Sequence, residues 1–76
     1  MKKVGVVYFS DGCYEPVLFY SDQREDLIEF KTQFAEYVMD KETNMYYRRV
    51  LSEDYYGDPV HDYIPVSNIE RLCLER

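Results

Sequence analysis

Residues 22–41 read DQREDLIEFKTQFAEYVMDK, and the reading of this stretch decides the fold. Leu27, Phe30, Phe34, Tyr37 and Val38 fall on one stripe at 3.6 residues per turn, flanked by Ile28 and Ala35. Ser21 and Asp22 are both N-cap types, Asp22 with Glu25 has capping-box spacing, and Asn44 offers a stop. The pattern predicts a helix over 22–41 that buries Leu27, Phe30, Phe34 and Val38. At 100° per residue, Asp22, Glu25, Glu29, Glu36 and Asp40 gather within an arc of about 60° opposite that stripe. No Lys or Arg shares the arc, so these carboxylates are expected to stand in water as a continuous acidic face.

On either side the chain reads as strands. Residues 3–10 and 14–20 are rich in β-branched and aromatic types, and Asp11-Gly12 between them is a hairpin signal. Pro16 cannot donate a ladder hydrogen bond, which places it at an edge or a bulge. A further strand is expected over 45–51, a loop over 52–58, and a strand from Pro59 to about Ile64 that Pro65 limits. In the segment 67–76, Ser67-Asn68-Ile69-Glu70 has the spacing of a helix cap, while Ile69, Leu72, Cys73 and Leu74 also fit a closing strand. Strand is favoured, because six or seven terminal residues make a marginal helix. The expected fold is α+β, a ββαββ order with a fifth strand at the end, in which one helix covers one face of an antiparallel sheet.

Composition narrows the function classes. A chain of 76 residues has room for one modest core, so residues 1–76 are expected to form a single domain. Nine Lys+Arg against fifteen Asp+Glu give a net charge of −6, which disfavours binding to phosphate backbones or anionic lipid and favours a basic protein surface. The apolar run Val4–Phe9 ends at Ser10-Asp11-Gly12, short of a signal-peptide core, and no stretch is long enough to span a membrane as a helix. Cys13 and Cys73 without a secretion signal are expected to be free thiols in a reducing, cytoplasmic setting.

No motif specifies a chemistry. His61, the only histidine, lies beside Asp62 and near Asp58, but acid–base catalysis needs further placed groups. Asp54, Asp58 and Asp62 lack the calcium-loop pattern, two cysteines and one histidine do not make a zinc set, and three scattered glycines make no phosphate cradle. No catalytic, cofactor or metal site is expected.

What remains is binding. The second acidic cluster, Glu53, Asp54, Asp58 and Asp62, is interleaved with Tyr55, Tyr56 and Tyr63. Charge for steering and tyrosine for contact area suit a basic partner. Together with Asp22, Glu25, Glu29, Glu36 and Asp40, this cluster points to a non-catalytic module that occupies the basic site of a nucleic-acid-binding protein by imitating the charge of DNA. An alternative uses Tyr46, Tyr47, Arg48 and Arg49 as a strand that holds a small ligand or single-stranded nucleic acid.

Overall fold

A computed structural model describes residues 3–19 and 25–74. It contains seven strands and, among the described residues, no helix: β1 (Lys3–Phe9), β2 (Tyr14–Phe19), β3 (Leu27–Lys31), β4 (Glu36–Asp40), β5 (Tyr46–Glu53), β6 (Pro59–Val66) and β7 (Ile69–Leu74). The protein is therefore all-β, and the α+β expectation is corrected. Residues expected as one helix form the β3–β4 hairpin, with Phe30 opposite Tyr37 and Lys31 opposite Glu36. The turn between them is fixed by Thr32, whose Oγ1 accepts the N–H groups of Phe34 and Ala35 at 3.1 and 3.2 Å. The proposed caps at Ser21 and Asp22 lie outside the described residues.

The expected burial changes with the hairpin. Phe30 and Val38 are buried, but on opposite faces of the sheet, and Phe34 stands 72% exposed in the turn. Asn44, expected to stop the helix, instead lies in the turn after β4 has ended at Asp40. It adopts a φ of 58° in the β4–β5 turn, where its N–H donates to the Asp40 carbonyl, a left-handed conformation that asparagine tolerates well.

All described pairings are antiparallel, in the strand order β6-β5-β4-β3-β2-β1-β7. The connection from β6 to β7 then forces the shape. Laid flat, six strand spacings would hold β6 and β7 about 29 Å apart. Only Ser67 and Asn68 separate Val66 from Ile69, and three Cα steps reach at most about 11 Å. The sheet must curl until its ends approach, forming a barrel that is left open because β6 and β7 are not hydrogen-bonded neighbours.

Curling explains the core. Val7, Val17, Phe19, Phe30 and Ile69 are buried together, and Phe9, Ile28, Tyr37, Met39, Tyr46, Val66 and Leu72 pack against them. Every strand contributes inward-facing residues, alternate ones on β1 to β4 and, on β7, Ile69 and Leu72 either side of a register shift against β1, as a sheet wrapped around its own interior requires. Gly5 lies where β1 and β7 meet, and a Cβ there would run into the Cys73 carbonyl oxygen and the Phe19 ring.

The remaining expectations hold or shift by residues. β1 and β2 form the hairpin signalled by Asp11-Gly12, with Gly12 at φ 91° and Asp11 Oδ1 accepting the Cys13 N–H at 2.9 Å. Described pairing of β2 with β3 covers only Leu18 and Phe19, so Pro16 sits at a locally open edge. β5 continues into the expected loop as far as Glu53. Pro65 does not stop β6, because it falls opposite Tyr47 on the strand at the end of the sheet order, where a missing donor can face outward. The closing segment is a strand.

Candidate protein-binding surface

Strand alternation sets which side chains share a face. On the convex side, β3 presents Leu27, Glu29 and Lys31, β4 presents Glu36, Val38 and Asp40, and β5 presents Tyr47 and Arg49. Glu29, Glu36 and Asp40 thus share a surface, though not the helix face expected of them. Nor are they a free acidic array. Arg49 Nη1 lies 3.2 Å from Glu29 Oε1 and its Nη2 3.3 Å from Glu36 Oε2, with the Arg49 and Glu29 side chains only 13% and 18% exposed. Burial works against the Arg49 charge, but Glu29, Glu36 and a hydrogen bond with Tyr63 outweigh it and raise the pKa above its ordinary value. Glu25 is exposed, and Asp22 lies outside the described residues.

Asp40 serves the backbone. Its Oδ1 accepts the N–H groups of Glu42 and Thr43 at 2.9 and 3.4 Å, closing the β4–β5 turn. Beside it the convex face dips into a pocket of about 290 Å³ lined by Leu27, Val38, Asp40, Tyr47 and Tyr63. Sequence reading missed this site because a helix would have placed Asp40 on the face opposite Leu27 and Val38. The alternation of 36, 38 and 40 against 47 and 49 was the available signal.

The second acidic cluster stays together. β4 pairs with β5 only from Tyr46 to Arg49, whereas β5 pairs with β6 as far as Glu53 and Pro59. Residues 50–62 therefore form a two-stranded arm beyond the main sheet. At its tip, Asp54 Oδ1 accepts the N–H groups of Tyr56 and Asp58, each at 2.9 Å, and Gly57 takes a φ of 81°. Tyr55 and Tyr56 are 96% and 84% exposed, and their rings meet edge to face at 5.4 Å and 89°. Glu53 and Asp58 flank them. Asp62 lies opposite Val50, on the other face of the ribbon from Leu51 and Tyr63.

The Tyr46–Arg49 strand does not assemble as one platform. Tyr46 packs edge-on to Phe30 with centroids 6.4 Å apart, Arg48 is exposed, and Tyr47 and Arg49 point to the convex side with Arg49 already ion-paired. His61 is exposed opposite Leu51. Among the described residues no group of three or more His, Cys, Asp or Glu side chains is placed to hold a metal. Cys13 and Cys73 are free and exposed, with the Cys13 thiol pKa raised chiefly by its hydrogen bond to Asp11. No helix among the described residues is long and apolar enough to cross a membrane. In comparisons with known proteins, no family model, curated protein or solved structure matches the chain.

Proposed function

We propose that this protein is a non-catalytic, cytoplasmic binding module that offers its β5–β6 arm to a basic surface of another protein. The observation that carries the reading is the arm tip. Two almost fully exposed tyrosines stand among Glu53, Asp54 and Asp58, and no Lys or Arg occurs between Arg49 and Arg71. Exposed aromatic rings in water gain by being covered, and the surrounding carboxylates select a cationic partner while speeding encounter. The basic face of a nucleic-acid-binding protein has that character. Mimicry of DNA by an acidic helix loses its basis, because the helix does not form and two of its carboxylates neutralise Arg49.

The test is affinity capture with the intact chain and with a Tyr55→Ser/Tyr56→Ser variant, followed by mass spectrometry and elution with duplex DNA. The expected result is a partner retained by the intact chain, lost by the variant and displaced by DNA. A partner held equally by both chains would sink the proposal.

A further inference from the structure

We propose that the convex-face pocket between β3, β4, β5 and β6 receives a single arginine side chain from the partner, an inference that rests on the reading of the protein as a binder of basic surfaces. Its construction is specific to a cation with an apolar stem. Val38, 2% exposed, forms the floor, Leu27 lies on one side, and Tyr47 and Tyr63 supply aromatic walls. Asp40 supplies the charge. Its two side-chain hydrogen bonds among the described residues both use Oδ1, which leaves Oδ2 for an incoming donor, and no Lys or Arg among the described residues is ion-paired with it.

Size and chemistry choose the occupant. At about 290 Å³ the pocket falls at the lower limit of small-molecule sites, which begin at about 300 Å³, and suits one side chain. An anion would meet Asp40 in a chain of net charge −6. A neutral apolar group would cover that carboxylate without pairing it, which is costly. A guanidinium is planar, weakly hydrated and able to lie on an aromatic ring while donating to a carboxylate, whereas an ammonium is held more tightly by water.

The chain already holds two guanidinium groups of its own, one beside the pocket and one at the other end of the sheet. Arg49 sits between Glu29 and Glu36 and opposite its cross-strand partner Tyr63, which also lines the pocket. On β7, the Arg71 guanidinium carbon lies 4.3 Å from the centroid of the Tyr8 ring. The pocket offers the same two elements, a carboxylate and tyrosine rings, and no arginine among the described residues lines it.

The experiment titrates the full ¹⁵N-labelled chain with N-acetyl-arginine methylamide, its citrulline analogue, which is a neutral isostere, and its lysine analogue. The arginine probe is expected to give saturable amide shifts centred on Leu27, Val38, Asp40, Tyr47 and Tyr63, the lysine probe weaker ones, and the citrulline probe none there. Asp40→Asn keeps an oxygen acceptor for the turn but removes the charge, and should weaken the arginine probe by about tenfold. Tyr47→Leu should weaken it by about threefold to fivefold.

Absence of saturable shifts at the pocket, equal response to citrulline, or unchanged affinity in folded Asp40→Asn would overturn the proposal. Equal or tighter binding of the lysine probe would overturn the choice of arginine. The arm reading fails separately: a working pocket with an arm variant that still holds the partner removes the arm alone, and a silent pocket with an arm-dependent partner removes the pocket alone.

Discussion

Phe30 and Tyr37 stack ring on ring, with centroids 5.4 Å apart and planes 20° from parallel, because they are direct cross-strand partners in the β3–β4 hairpin. Phe30 also meets Phe19 at 6.2 Å and Tyr46 edge-on at 6.4 Å, so one fully buried ring ties β2, β3, β4 and β5 together. Phe30→Ala should cost about 3–5 kcal/mol, a large part of the stability of a domain this small. Phe34→Ala, in the exposed turn, should change stability by less than about 0.5 kcal/mol. Urea denaturation of both variants is the check, and equal losses would contradict the hairpin.

That pair also explains which parts of the fold could be read from sequence. Residues seven apart lie on one face of a helix, but a hairpin with a four-residue turn also brings such residues together, as at Phe30 and Tyr37. Local periodicity could not separate the two. The decision came from pairing with the flanking strands, Leu18 with Lys31 and Val38 with Tyr47, which propensity does not contain. Asp11-Gly12, the alternation in 3–9 and the boundary at Pro59 are local signals, and they were legible. Of the binding surface, the arm tip was legible because its acids and tyrosines are contiguous. Glu29 and Glu36 were misjudged because their partner, Arg49, is set by cross-strand register.

The Arg49 cluster predicts unequal costs for reversing different acids. Glu29→Lys would place two cations at a half-buried site and remove one of the counter-charges of Arg49, so it should destabilise by about 1–3 kcal/mol. Glu36 is 45% exposed in its side chain, so Glu36→Lys should cost less through solvent screening. Glu25→Lys, at an exposed position, should be near neutral. Thermal melts would rank the three, and a double-mutant cycle of Arg49→Met with Glu29→Gln would measure the coupling.

Alkaline stability should depend on Tyr46. Burial raises its pKa above the ordinary value of 10.0, with a further push from Cys73 and an opposing hydrogen bond from the Leu72 backbone. A group whose folded pKa is raised holds its proton more tightly when folded. Its contribution is complete below the unfolded pKa of about 10 and is lost as pH rises through the folded value. The protein should therefore lose stability above about pH 10, and Tyr46→Phe should flatten that fall. Urea midpoints measured across pH 8–11.5, with phenolate absorbance followed in parallel, test this. An unchanged slope in Tyr46→Phe would assign the alkaline loss elsewhere.

Asp54 allows geometry and charge in the arm to be separated. Its carboxylate oxygen holds the tip by accepting from Tyr56 and Asp58, while its backbone bonds Asp58 and Gly57 at 3.0 Å each. Asp54→Asn retains an acceptor at that position and removes one negative charge; Asp54→Ala removes both. Losing a turn-capping side chain costs about 0.5–2 kcal/mol, and here the cost should fall on the arm alone, because residues 50–53 pair only with β6. Hydrogen exchange should show faster amides between 50 and 62 in Asp54→Ala, with β1 to β4 unchanged, and near-normal protection in Asp54→Asn. Against a captured partner, Asp54→Asn should slow association at low salt and converge with the intact chain as salt rises, since its loss is one of steering. Asp54→Ala should in addition dissociate faster at every salt concentration, because Tyr55 and Tyr56 no longer hold their edge-to-face arrangement. Identical kinetics for the two variants would mean that the tip's geometry has no part in binding.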